Sequence, residues 1–507
     1  MEVEAEQTPR IRWILAGMGI LAAVWVLCFA DLVPGKPQVT RAAAVGILIG
    51  TLWLTEALPL AVTSLMPLVL MPMLGISSGD EVAREYAQDV IFVFLGGFIV
   101  ALAMERWSLH RRIAIFILSR FGASSRRLVL GFLVSTAALS MWISNTAAAM
   151  MMVTIALAVI KSAEEKLDPE SARRTALALL LAVAYGANIG GIATPVGTPP
   201  NLVFIQIFRD RFPEAPPISF LSWMLFAVPI SAILVGAVWW LLASRVLPRS
   251  RQVFLEQQAL NDEYRRLGPT KFPEWVVMGT FAAMVALWVT RSRLDIGDFH
   301  LFGWSRWFEN PKFITDGTVS IAMAVFLFFI PARQAQPAMV MNWETAARLP
   351  WNIVLLFGGG FALAKGIEQS GLSQWLGDQL QALGVLPLPV FLLLMCLGIC
   401  FVGELTSNTA TTQIVLPILA AIAVTIDVHP LIVMLPATIA CSWGFMMPVG
   451  TPPNAIVFGT NRIRIGEMAR IGVLVNLLAV VLTVIAMLVW GRGVWQIESL
   501  VSPDWSR

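Results

Sequence analysis

Four apolar runs in this chain are longer than a single membrane crossing requires, and each is interrupted by a polar motif. Residues 128–160 and 386–425 run for 33 and 40 residues and carry Ser-Asn-Thr near the middle. Residues 175–208 and 430–460 carry Thr-Pro-Pro-Asn instead. About twenty apolar residues cross a bilayer as a helix. The first pair therefore reads as helical hairpins that enter and leave by one face, with the polar triplet at the tip. The second pair reads as spans broken at mid-membrane. Nine further stretches read as ordinary spans: 13–30, 41–57, 60–75, 89–104, 218–243, 272–291, 316–331, 351–367 and 470–491. The expectation is an all-α polytopic membrane protein of eleven transmembrane helices plus two re-entrant hairpins.

Composition supports that class. Charged residues make up 13% of the chain, against about 25% in soluble domains, so much of the surface faces lipid. The N-terminal MEVEAEQTPRIR is too acidic for a signal peptide, so the first apolar run is expected to remain as a helix. Cys28, Cys396, Cys400 and Cys441 lie in apolar stretches, and the three histidines, His110, His300 and His429, do not cluster. Neither a metal centre nor a disulfide framework is expected. No nucleophile–base pair or ligand spacing of an enzyme is present, and nothing points to nucleic acid or an organic cofactor.

With the N-terminus in the cytoplasm, 23 of the 35 Lys and Arg residues fall on cytoplasmic segments. The positive-inside rule favours that orientation. It puts the C-terminus outside and the polar stretch 244–271 inside, where a helical arm along the membrane surface is expected. A bacterial inner membrane, the plasma membrane, is the expected location.

The interruptions are duplicated. Ser144-Asn145-Thr146-Ala147 returns as Ser407-Asn408-Thr409-Ala410, and Pro195–Asn201 returns without change as Pro448–Asn454. Leu95-Gly96-Gly97-Phe98 faces Gly358-Gly359-Gly360-Phe361. Each copy holds five spans and one hairpin. The odd span count turns the second copy upside down, giving two inverted repeats, and broken helices in corresponding positions mark the binding site of such proteins. The chain divides into first-repeat spans (1–127), first-repeat hairpin and broken helix (128–243), linker (244–271), second-repeat spans (272–385) and second-repeat hairpin and broken helix (386–507).

Ser, Asn and Thr are strong N-caps, and the first amides of the helix they start carry partial positive charge that attracts carboxylates. In Gly-Thr-Pro-Pro-Asn, glycine permits an unusual backbone and proline frees carbonyls, while Thr and Asn add oxygen ligands and donors. No Lys or Arg lies between Arg127 and Lys161, between Arg174 and Arg209, or between Lys365 and Arg462. A dianion held there without a compensating charge is very costly. A co-bound inorganic cation supplies that charge, and oxygen-only ligands fit sodium. Glu404, the only carboxylate near the triplets, reads as a hydrogen-bonded structural residue.

With Trp53-Leu-Thr-Glu-Ala-Leu-Pro59, both triplets and both Gly-Thr-Pro-Pro-Asn loops, the chain resembles the divalent anion:sodium symporter family, the INDY-type sodium-coupled dicarboxylate/citrate transporters. The resemblance implies homodimers working by an elevator mechanism, in which the hairpins and broken spans slide against a scaffold. It implies a first sodium site at Ser140, Ser144, Asn145 and Gly197, and a second at Thr406, Asn408 and Gly450. It implies substrate contacts from Asn145, Thr146, Thr198, Pro199, Ser407, Asn408, Thr409, Thr451 and Pro452. The implied substrates are di- and tricarboxylates such as succinate, malate or fumarate, and threonine in both triplets is more like the C4-dicarboxylate members. In sodium-coupled members a hydroxyl residue commonly stands where this chain has Gly403, so the second site is expected to hold its ion with fewer oxygens. A proton-coupled or arsenite-type permease, and a dicarboxylate exchanger on the same scaffold, stay open as alternatives.

Overall fold

The computed structural model describes residues 9–121, 124–248, 264–292, 294–296, 299–301, 303–333, 338–379 and 386–506. Helices dominate it. In chain order they are α1 (Pro9–Phe29), α2 (Pro37–Thr55), α3 (Asp89–Arg106), α4 (Leu109–Phe121), α5 (Ser125–Ser140), α6 (Asn145–Lys166), α7 (Pro169–Gly191), α8 (Pro199–Arg211) and α9 (Phe220–Arg245). Then follow α10 (Phe272–Thr290), α11 (Asp316–Phe329), α12 (Trp351–Gln369), α13 (Leu372–Gln379), α14 (Leu388–Gly403), α15 (Asn408–Thr425), α16 (Pro430–Cys441), α17 (Pro452–Phe458) and α18 (Ile465–Ala486). The helix order from α3 to α9 is that from α12 to α18. The duplication in sequence is thus a duplication of elements.

Among the described residues, nine helices are long and apolar enough to cross a membrane. The expected breaks fall where the motifs stand. α5 stops at Ser140 and α6 begins behind Ser144. α14 stops at Gly403 and α15 begins behind Ser407. α7 and α8 are separated at Ile192–Thr198, and α16 and α17 at Ser442–Thr451. In α8 and α17 the two prolines occupy the first helical positions, where a missing N–H costs nothing.

One expectation needs correction. The run 60–75 is not one helix but two short pieces, Leu60–Thr63 and Pro67–Met73. Pro67 withholds the amide that a ladder continuous through the turn at 64–66 would need, so hydropathy alone misjudges it. The class is helical as expected, with one small addition: Leu294–Ile296 pairs antiparallel with Phe299–Leu301 in a short hairpin between α10 and α11. The arm expected over 244–271 falls mostly on residues 249–263 and lies outside the described residues.

Burial ranks the helices. α1 is largely exposed apart from its contact with α2, as suits a helix bathed in lipid. Every residue of α7 from Thr175 to Gly191 is buried, as is every residue of α16. The two broken helices therefore form the protein's interior, and their freed backbone faces protein. On the first, Ser231 Oγ donates to Ile189 O (3.0 Å) and Trp223 Nε1 to Ile192 O (2.9 Å), both from α9. Asn201 Nδ2 donates to Gly191 O (3.1 Å) and Thr194 O (2.8 Å). On the second, Asn454 Nδ2 repeats that clamp on Gly444 O (3.1 Å) and Met447 O (2.9 Å).

Near the helix ends, α4 is pinned to the start of α10 by a buried ion pair. Arg112 Nε meets Glu274 Oε2 at 2.6 Å, with 12% and 7% of the side chains exposed, and the guanidinium also donates to Leu267 O and Gly268 O. Glu274→Ala would leave a buried guanidinium uncompensated, at a cost of about 3 kcal/mol. The expected outcome is a melting temperature in detergent lower by several degrees, with Arg112→Ala giving a similar drop and the double variant less than their sum.

Candidate functional site

The four motifs meet at one place. A cavity of about 480 Å³ is lined by Ser144, Asn145 and Thr146, by Gly197, Thr198 and Pro199, by Thr406–Thr409, and by Gly450, Thr451 and Pro452. Every residue expected to bind sodium or substrate lies on this wall except Ser140, which is fully buried behind it. The N-terminal ends of α6, α8 and α15 border the cavity, as does the loop into the short α17. Each helix end contributes roughly half a positive charge. Thr198 and Thr451 are extended N-cap residues whose side chains make no cap bond, so these ends keep their field available. Among the described residues, no Lys or Arg lines the cavity.

At the first triplet, Ser144 caps α6 by accepting from Ala147 N at 3.2 Å. Ser140 Oγ lies 2.6 Å from Asn145 Oδ1 and 2.8 Å from Ala187 O. One hydroxyl proton serves these three oxygens, so they form a convergent oxygen set of the kind a hard cation takes. Gly197 stands beside them: a Cβ there would come within 2.5 Å of Gly191 O and 3.0 Å of Ser140 O. Only glycine lets the loop approach so closely.

The second half has the same backbone and different chemistry. Ser407 precedes α15 without a side-chain cap bond. Thr406 Oγ1 lies 2.8 Å from Thr411 Oγ1 and donates to Val402 O at 2.9 Å. Asn408 Oδ1 is buried without a hydrogen-bond partner. A Cβ on Gly403 would stand 3.9 Å from that oxygen and 3.6 Å from Cys441 O. There is room here for the hydroxymethyl group that Ser140 carries in the first half.

Glu404 is structural in its geometry. It is 2% exposed. Its Oε1 accepts from Phe445 N (2.7 Å), Met446 N (2.8 Å) and Asn476 Nδ2 (2.6 Å), and its Oε2 from Met447 N (2.8 Å). Four donors hold this carboxylate, which fixes the loop before Gly450.

Sequence reasoning missed three things. Asn201 and Asn454 turn their amides inward as loop clamps rather than offering them to a ligand. Asn188, fully buried on α7, donates to Gly444 O (2.9 Å) and Thr451 Oγ1 (3.0 Å), and so ties the first half to the second; nothing in its sequence neighbourhood signals this. The remaining wall comes from Glu56, Leu60, Phe98, Asn352, Ile353 and Leu356. Of these, Glu56 and Phe98 stood in motifs already noted, and Asn352 carried no signal.

Comparison with known proteins agrees with this geometry. The chain is 43% identical over 451 residues to the sodium-dependent dicarboxylate transporter SdcS of Staphylococcus saprophyticus, covering 88% of this chain and 84% of that one. SdcS of Staphylococcus aureus is 42% identical with the same coverage. Among solved structures, MtrF of Neisseria gonorrhoeae superposes with a TM-score of 0.54 at 13% identity over 96% of each chain. The YdaH transporter of Alcanivorax borkumensis gives 0.56 at 15% identity over 93% of this chain and 98% of that one. These two show likeness of fold alone. The family profile described as the sodium:sulfate symporter transmembrane region matches residues 10–497, and with that match and relatives above 40% identity the chain belongs to the divalent anion:sodium symporter family.

Proposed function

We propose that this protein carries C4-dicarboxylates such as succinate, malate or fumarate across the membrane by co-transport with sodium. The observation that carries the reading is the single cavity walled by both triplets and both loops, bordered by helix N-termini and free of Lys and Arg. Such a wall donates hydrogen bonds to carboxylates but does not neutralise two charges. Sodium ions beside Ser140, Ser144, Asn145 and Gly197, and beside Thr406, Asn408 and Gly450, supply the missing charge. Binding of anion and cation then favour each other, which is coupling in the thermodynamic sense. The names of the SdcS relatives point the same way.

In this reading Asn145 and Asn408 each touch ion and anion, while Thr146, Thr198, Pro199, Ser407, Thr409, Thr451 and Pro452 complete the substrate cradle. The two hairpins and broken helices, 128–243 and 386–507, move together as the transport unit. The other spans, 1–127 and 272–385, hold a homodimer still in the lipid, with 244–271 as the connecting arm. Eleven spans in inverted repeats place the N-terminus inside and the C-terminus outside.

The reading is tested by labelled succinate uptake into proteoliposomes. Uptake is expected to rise with an inward sodium gradient. Asn145→Ala and Asn408→Ala are each expected to abolish it while the purified protein elutes as a folded species. Uptake near normal in both variants would reduce the triplets to helix caps.

The difference between the halves gives a second expectation. Gly403→Ser places a hydroxyl between Asn408 Oδ1 and Cys441 O, as Ser140 stands between Asn145 Oδ1 and Ala187 O. One extra oxygen ligand worth about 1.4 kcal/mol is tenfold in affinity. The half-saturating sodium concentration is expected to fall in Gly403→Ser and to rise in Ser140→Ala. Orientation is checked separately: a reporter that works only in the cytoplasm, fused after Arg507, is expected to be silent.

A further inference from the structure

Among the described residues one charged side chain lines the anion cavity, and it has the wrong sign for the cargo. Glu56 lines the wall made by the end of α2, α3 and α12. Its carboxylate makes no hydrogen bond or ion pair with any described residue. Its backbone is left-handed, with φ 48° and ψ 35° as the cap residue of α2. Glycine or asparagine takes such a position more readily, and a long acidic side chain there is uncommon. Glu56 is exposed on the cavity wall, so its carboxylate is free to act on the cavity's contents, from a backbone conformation that glycine or asparagine takes more readily.

We propose that Glu56 sets the charge selectivity of the cleft, rejecting anions that arrive with more negative charge than the bound cations neutralise. This rests on the sodium-coupled carboxylate reading given above. The physical argument is Coulombic. Glu56 and the proposed anion site line one cavity. At the permittivity of a wet protein cavity, an added negative charge on the ligand costs about tenfold in affinity. A dianion accompanied by sodium meets little net repulsion. A trianion with the same ions, or a dianion lacking one of them, meets it in full. The helix N-termini attract every carboxylate alike and do not discriminate by charge number; Glu56 supplies the discrimination.

The experiment compares uptake of succinate and citrate, at a pH where citrate is a trianion, in wild type, Glu56→Gln, Glu56→Asn and Glu56→Asp. Glutamine keeps the shape, asparagine suits the left-handed backbone, and aspartate keeps the charge. The citrate-to-succinate ratio of KM is expected to fall about tenfold in both neutral variants and to stay near the wild-type value in Glu56→Asp. The half-saturating sodium concentration for succinate is expected to rise severalfold in the neutral variants, because the negative charge that favours the cations is gone. Thermal stabilisation of the purified proteins by each anion gives the same ratio for a variant that binds but does not transport. A citrate-to-succinate ratio unchanged in both neutral variants, by uptake and by stabilisation, overturns the role of Glu56 and leaves sodium-driven transport standing. Wild-type succinate uptake that ignores sodium overturns instead the reading on which it rests.

Discussion

Within a membrane every backbone amide and carbonyl must find a partner inside the protein, and this constraint explains the interior of the molecule. The chain breaks four apolar stretches, and the broken ends would be untenable in lipid. They are tenable here because side chains replace the missing ladder. Ser231 and Trp223 reach from α9 to the carbonyls at the end of α7. Asn201 and Asn454 fold back on the loops that precede them. Glu404 accepts from three consecutive amides. The near-complete burial of α7 and α16 follows, since helices whose backbone is opened must be wrapped on all sides.

The same breaks generate the electrostatics of the cavity. A helix that starts at mid-membrane places its unsatisfied amides there, and in a region of low permittivity they act on charge far more strongly than they would in water. The ends of α6, α8 and α15 border one space. The protein obtains an attractive potential for an anion without a buried cation, and so without the strong hold that a fixed Lys or Arg would impose. Weak fixed charge and strong mobile charge suit a carrier that must release its cargo. Asn188 joins the two halves at this point by holding the Thr451 hydroxyl, so the shape of one half's loop depends on the other's helix.

The positions of the breaks were legible because polar triplets and proline pairs are conspicuous in apolar runs, and the duplication showed which breaks belonged together. That all four motifs would share a cavity also followed from the repeat. What was not legible is long-range. Asn188 and Thr451 are far apart in sequence, as are Glu404 and the amides of 445–447, and no local pattern announces either pairing. The run 60–75 was misjudged for the opposite reason: its apolar content hid Pro67, which starts a second helical piece. Glu56 was visible within a motif, but its exposure to the cavity depends on where α2 ends and how the chain turns there.

The two halves differ most where they would be expected to match. By the register of the triplets, Glu404 stands where the first half has Met141, and Gly403 where it has Ser140. The first loop is tied down without charge, by Thr194 Oγ1 donating to Met141 O at 2.5 Å. The second is tied down by a buried carboxylate. A Cβ on Gly450 would come within 2.7 Å of Glu404 Oε2, so that charge lies against the loop proposed to hold the second sodium ion. On the proposed reading, the second half gives up a hydroxyl ligand but gains a negative potential close behind the site. The carboxylate is engaged by four donors, which screen it at short range, while its field reaches further in a medium that screens poorly. Ligand number and field then change in opposite directions between the halves. A cation is held in the first by more coordinating oxygens, and in the second by fewer oxygens within a stronger field. A duplicated backbone can in this way carry two ion sites of unlike character around one anion.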